Sequence, residues 1–210
     1  MNDYNKIKLF SLGNASVGKT SYIVKFTDDL FRDNTLITTG IDLKIKMINY
    51  NEKEYRIEFY DTAGQERYRA ISLNSIKSAD GIVLMYDITN QKSFDEISNW
   101  MKNIKQLQGD DFPMILVGNK CDLESKRIVT YEEGIELSKT YKIPFFEVSN
   151  KKGINIEESS LELIKQIIEK KEAQIKELTK DYEVIEKIDK FELDRKTVIS
   201  MNKLPKKKCC

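Results

Sequence analysis

The sequence predicts an α/β domain, a mostly parallel sheet flanked by helices, followed by a helical or disordered C-terminal tail. Short apolar runs alternate with amphipathic stretches over residues 6–148, the signature of strand–helix units around a parallel sheet. Two runs, 81–86 and 114–117, are continuously apolar, as strands buried on both faces are. All nine glycines and two of the three prolines lie at or before Gly153, so the chain changes character there.

The elements follow in order. Residues 6–12 read as a strand ending at Gly13, and 20–28 as a helix. Residues 41–50 and 53–60 read as two strands, and Asn51-Glu52 between them marks a hairpin turn. After the strand 81–86, Phe94, Ile97, Trp100, Met101 and Ile104 recur at three- and four-residue spacing, which predicts a helix. The strand 114–117, a helix over 132–141 and a buried strand over 144–148 complete a six-stranded sheet. Beyond Gly153, Leu161, Ile164, Ile168, Lys171, Ile175, Leu178, Tyr182 and Ile185 keep a 3-4-3-4 spacing. Its first half is expected to close the domain as a helix. The second half holds four apolar positions over two heptads, fewer than a persuasive coiled-coil seam needs. A loosely helical or disordered linker is the expectation there, with a coiled coil as the alternative. The domain is therefore expected over 5–172 and the tail over 173–210.

Composition removes several function classes. Lys+Arg number 35 and Asp+Glu 34, a net charge of +1, so no globally basic nucleic-acid binder is expected. There is no histidine, which excludes Ser–His and Cys–His dyads and the usual zinc sites. The cysteines are Cys121, Cys209 and Cys210, no disulfide framework, and they suit a reducing compartment. No apolar run approaches the roughly 20 residues of a membrane span. The N-terminus has neither the apolar stretch of a signal peptide nor a glycine after Met1 for myristoylation.

Gly13-Asn-Ala-Ser-Val-Gly18-Lys19-Thr20 fits Gly-x-x-x-x-Gly-Lys-[Ser/Thr] between a strand and a helix, the context this phosphate-binding loop requires. Glycine lets the backbone wrap phosphates, so successive N–H groups of Ala15, Ser16, Val17, Gly18, Lys19, Thr20 and Ser21 are candidate donors at a helix N-terminus. Lys19 adds a full charge, and the Thr20 hydroxyl suits Mg²⁺, a hard ion. Asn119-Lys120-Cys121-Asp122 follows the strand 114–117. Alone it is an ordinary polar loop. Downstream of a P-loop, Asp122 becomes a candidate acceptor for the paired N1–H and amino donors of guanine, which adenine lacks. Asp61-Thr62-Ala63-Gly64-Gln65-Glu66 follows the strand 53–60. Asp61 can hold Mg²⁺ directly or through water, Gly64 lets a backbone N–H approach a terminal phosphate, and Gln65 has an amide able to orient water. A surface turn with an Asp cap is the bland alternative.

These motifs, in this order, resemble the Ras superfamily of small GTPases and most closely its Rab family, over residues 5–172 and the last two cysteines. The resemblance implies a P-loop GTPase (G domain) that binds GTP and GDP with Mg²⁺. It implies Lys19 on the β- and γ-phosphates, Thr20 and Thr38 as Mg²⁺ ligands, Asp61 on the ion through water, and Gln65 as the catalytic residue that positions water. Phe31 would pack on the base, Asn119 and Asp122 would select guanine, and Lys120 would lie over it. Ser149-Asn150-Lys151 stands where the family has Ser-Ala-Lys, contacting the base largely through backbone N–H. Gln65-Glu66-Arg67-Tyr68-Arg69-Ala70-Ile71-Ser72 and Tyr86-Asp87-Ile88-Thr89 look Rab-like. Leu43, Tyr60 and Ser75-Ile76 depart from the family's effector-facing aromatic residues.

The chain ends Lys206-Lys207-Lys208-Cys209-Cys210, which resembles the Rab pattern for double geranylgeranylation at Cys209 and Cys210. Two lipids anchor stably where one does not, and the lysines favour an anionic leaflet. The resemblance implies slow hydrolysis, a GTPase-activating protein, an exchange factor, prenyl-delivery and GDP-dissociation-inhibitor chaperones, and effectors on the switch face. It implies a monomeric domain, cytoplasmic and cycling onto endomembranes or vesicles. Two other classes compete: an ATP-dependent P-loop enzyme, opposed by Asp122, and a nucleotide-locked interaction module working through its tail, opposed by Gln65 and the small Ala15.

Overall fold

A computed structural model describes residues 5–31, 41–62 and 76–201, by the backbone alone at 41, 178 and from 180 onward. Strands β1 (Lys6–Leu12), β2 (Ile41–Tyr50), β3 (Lys53–Thr62), β4 (Gly81–Asp87), β5 (Met114–Asn119) and β6 (Phe145–Val148) form one sheet in the order β2-β3-β1-β4-β5-β6. Only β2 is antiparallel, paired with β3; the other pairings are parallel. The hairpin turns at Asn51 (φ 47°) and Glu52 (φ 62°), two left-handed residues that match the twist of the flanking strands. Every residue of β4 and β5 is buried, as continuous apolar runs require.

Side chains alternate across these strands. Phe10, Leu12, Ile82, Leu84, Tyr86, Met114 and Leu116 pack in one cluster with Ile97, Trp100, Met101 and Ile104. These last four lie on α3 (Ile97–Gln108), which follows the short α2 (Gln91–Asp95). Two helices thus replace the single predicted one, with Glu96 between them. α1 (Lys19–Asp28) packs Tyr22 and Phe26 edge-on against Phe59 of β3. α4 (Tyr131–Tyr141) starts in a full capping box, Thr130 with Glu133.

The last helix, α5, spans Ile156–Met201, longer than the expected domain helix. No glycine or proline lies between Gly153 and Pro205, so propagation meets no breaker. Ile164 and Ile168 of the predicted seam are buried, together with Leu163 and Ile167, while Leu161 is exposed, so the core face keeps part of the predicted seam and extends it to one side. Gly81 sets the approach: a Cβ there would lie 2.6 Å from Ile167 Cδ1. The chain divides into two units, Met1–Ile167 and Ile168–Cys210. No described helix is long and apolar enough to cross a membrane.

Candidate functional site

The chain reverses its direction of sheet growth at β1, whose neighbours are β3 and β4. Open α/β sheets bind ligands beyond the carboxyl ends of the strands at such a point. Every described motif residue lies on that edge. The loop Gly13–Gly18 follows β1, Asp61 closes β3, Asn119 ends β5 and Ser149 follows β6. β3 runs two residues further than predicted, because β2 pairs with it as far as Ile41↔Thr62. β5 likewise runs to Asn119, in register with Asp87.

The loop after β1 is shaped by two glycines. A Cβ on Gly13 would lie 2.2 Å from the Met85 carbonyl oxygen, and one on Gly18 2.2 Å from Asn119 Nδ2. Ser16 (φ 62°) and Gly18 (φ 102°) are left-handed, a backbone alternation of the kind that gathers N–H groups into an anion nest. Lys19 is 5% exposed. Its ammonium donates to the carbonyls of Gly13 (3.0 Å) and Asn14 (2.8 Å). Burial lowers its pKa to about 8, and the Asp61 carboxylate acts in the opposite direction. Thr20 Oγ1 donates to Asp61 Oδ2 at 2.6 Å, and Ser11 Oγ to Asp61 Oδ1 at 3.4 Å. Hydroxyl and carboxylate oxygens thus converge beside the buried ammonium.

The second half of the site is built on β5 and β6. Asn119, 1% exposed, donates from Nδ2 to the Val17 carbonyl at 2.7 Å. Lys120 turns left-handed (φ 70°) and pairs with Asp87 Oδ2 at 2.5 Å. Asp122 Oδ1 accepts from Ser149 Oγ at 2.6 Å, and Ser149 Oγ accepts from Lys152 N at 3.0 Å. Asn150 donates from Nδ2 to the Gly18 carbonyl at 2.9 Å. Lys151 is exposed, and Phe31 is partly buried shortly after α1.

The structure therefore brings together Gly18, Lys19, Thr20, Asp61, Asn119, Asp122, Ser149 and Asn150. Thr38, Gly64, Gln65, Ser75, Cys209 and Cys210 lie outside the described residues. Of the departing surface positions, Leu43 is 41% exposed while Ile76 is fully buried. Tyr60, opposite Leu43, stacks on Phe10 with ring centroids 4.5 Å apart.

Sequence reading missed two supports. Asp87 holds Lys120, and its place at the end of a continuously apolar strand was a usable signal. Trp100 donates from Nε1 to Asn14 Oδ1 at 3.1 Å, a contact between residues far apart in the chain that no local pattern announces.

An open, six-stranded α/β domain with a phosphate-loop lysine and threonine at its switch point defines a P-loop nucleotide-binding protein. The family model for the Ras family matches residues 8–169. Rab-10 of Diplobatis ommata is 43% identical over 163 residues, covering 78% of this chain and 82% of the relative. Rab-3A of Homo sapiens is also 43% identical, covering 78% and 74%, and Rab-3C of Bos taurus 43%, covering 78% and 72%. The chain belongs to the Rab family of Ras-superfamily small GTPases.

Proposed function

We propose that the protein is a guanine-nucleotide switch that cycles between GTP- and GDP-bound states and hydrolyses GTP slowly. In this reading it regulates vesicle-mediated membrane traffic by recruiting effectors in the GTP state. One observation carries it: Asn119 joins the Asn-Lys-Cys-Asp loop to the phosphate loop at the Val17 carbonyl, 2.7 Å away. A base-reading carboxylate and a phosphate cradle are thereby held as one site.

Lys19 supplies charge to the outer phosphates, and Asp122 accepts the paired donors of guanine. Thr20 Oγ1 and Asp61 Oδ2, 2.6 Å apart, are hard oxygen donors at the phosphate end, and they fit Mg²⁺. Thr20 and Thr38 would ligate the ion, with Asp61 holding it through water. Bound there, Mg²⁺ would supply positive charge to the phosphates. Gln65 orients water for in-line attack on the γ-phosphorus. A P–O bond forms to water, the bond to the GDP oxygen breaks, and the water proton passes to the released phosphate. The Gly64 N–H and Thr38 hold the switch segments in the GTP state and release them after hydrolysis. No residue of the motifs resembles an arginine finger in cis, so a GTPase-activating protein is required for fast turnover, and an exchange factor for release.

The nucleotide domain is assigned to 5–172 and the targeting tail to 173–210. Geranylgeranyl groups on Cys209 and Cys210, delivered and retrieved by prenyl-delivery and GDP-dissociation-inhibitor chaperones, place the protein on the cytoplasmic face of vesicles or endomembranes. The domain acts as a monomer and binds no nucleic acid. Nucleotide binding and single-turnover hydrolysis with Mg²⁺ test the proposal. Tight binding of GTP over ATP, slow hydrolysis, and a further loss in Gln65→Leu are expected. Absence of GTP preference, or equal rates for wild type and Gln65→Leu, would overturn it.

A further inference from the structure

We infer that Asn150 is a positioning residue that clasps the base loop to the phosphate loop and slows nucleotide release. The inference rests on the guanine-nucleotide reading above.

Asn150 is 4% exposed, and its amide reaches out of its own loop. Nδ2 donates to the Gly18 carbonyl at 2.9 Å. That carbonyl also accepts the Tyr22 N–H at 2.9 Å, a backbone bond of the first turn of α1. Asn150 thus shares an acceptor with the helix that carries Lys19 and Thr20. Asn119 makes the neighbouring rung, Nδ2 to the Val17 carbonyl at 2.7 Å. The Asn150 backbone N–H leans on Asn119 Oδ1 at 3.4 Å. Two amides from two loops therefore hold successive carbonyls of a third. Gly18 makes room, since a Cβ there would meet both amide nitrogens, at 2.2 and 2.7 Å.

The chemistry fixes which end of the Asn150 amide faces the phosphate loop. A carbonyl oxygen accepts only, so the nitrogen must point at it. This leaves Asn150 Oδ1 buried with no hydrogen-bond partner among the described residues. An orphaned buried acceptor costs the folded chain stability. Folding alone is therefore a poor reason for an amide at this position, and the cross-loop bond is what it contributes.

A nucleotide gripped by both loops leaves when they part. Parting must break the Asn119 rung and the Asn150 rung together. Removing the second should raise the dissociation rate about tenfold, equivalent to about 1.4 kcal/mol. It should act on GDP and GTP alike, because the clasp joins Asn119 and Asn150 to Val17 and Gly18 and uses neither Thr20 nor Asp61.

The test uses the full chain loaded with fluorescent GDP, and separately with a fluorescent non-hydrolysable GTP analogue, chased with excess unlabelled nucleotide in Mg²⁺. Wild type is compared with Asn150→Ala and Asn150→Leu. Leucine fills a similar volume without a donor and so controls for packing. Both variants are expected to release either nucleotide about tenfold faster, with association rates within about twofold of wild type. Asn150→Val, which keeps most of the volume and has no donor, should match alanine and stands in should leucine prevent loading. An alanine variant as slow as wild type would overturn the clasp. So would a fast alanine beside a slow leucine, since packing would then be the cause. A wild type that binds no guanine nucleotide would overturn the function itself, a result distinct from tight binding with unchanged release.

Discussion

At the end assigned to the base, Asn119, Asp122, Ser149 and Asn150 are held by one another and by backbone carbonyls. At the phosphate end, Lys19 rests on two carbonyls of its own loop and Thr20 on Asp61. The first set sits at strand ends or just beyond them and keeps bonds that cross between loops. The second set occupies hydrogen bonds that phosphates and a cation would take over. The end assigned to the base is thus held by bonds between loops, while the end assigned to the phosphates is held by bonds that a bound ligand would replace. Lys19 lies there as a desolvated ammonium, its pKa brought down to about 8.

Lys19→Ala should break the phosphate end most completely. Two charge-assisted bonds to phosphates are lost, at about 1.5–3 kcal/mol each, so GDP and GTP affinity should fall about 1,000-fold in equilibrium titration. Thermal stability without nucleotide should change little, because a buried charge goes too. Asp122→Asn tests the end assigned to the base. Guanine affinity should fall about 100-fold, with xanthosine nucleotides gaining in competition assays, while the fold survives because asparagine still accepts from Ser149 Oγ.

Smaller effects are expected behind the site. Tyr22, on α1 one turn past Lys19, meets Ser159 Oγ at 2.7 Å and Ser160 Oγ at 2.8 Å. Its hydroxyl is buried, with a pKa pushed up to about 12 by desolvation. Tyr22→Phe should cost about 1–2 kcal/mol in urea unfolding, since two serines lose their common partner. Trp100→Phe removes the bond to Asn14 Oδ1 and should weaken nucleotide binding only about threefold, the smallest change in the series. If Trp100→Phe rivalled Lys19→Ala in a fluorescent-GDP titration, the phosphate loop would depend on its surroundings as heavily as the base loops do.

Much of this was legible beforehand. The strand–loop–helix around Gly13 and Gly18 could be read because the glycines and Lys19 answer to local backbone and phosphate chemistry. The hairpin at Asn51-Glu52 and the buried strands β4 and β5 could be read because period and composition are local signals. The split between α2 and α3 was hidden by an apolar spacing that continues across it from Phe94 to Ile104. The ends of β3 and β5 were hidden because partner strands, not their own propensities, carry the ladder through Asp61-Thr62 and Gly118-Asn119.

By itself the sequence determined the α/β class and the family, and it marked the phosphate loop and the Asn-Lys-Cys-Asp loop as candidate sites, since each is written in contiguous residues whose order along the chain gives them meaning. Only the tertiary structure decided which carbonyls Asn119 and Asn150 hold, that Asp87 takes Lys120, and that Trp100 reaches Asn14. Those pairs join residues far apart in sequence. A side-chain amide carries no sign of its partner until the sheet order β2-β3-β1-β4-β5-β6 brings the two loops within hydrogen-bonding reach.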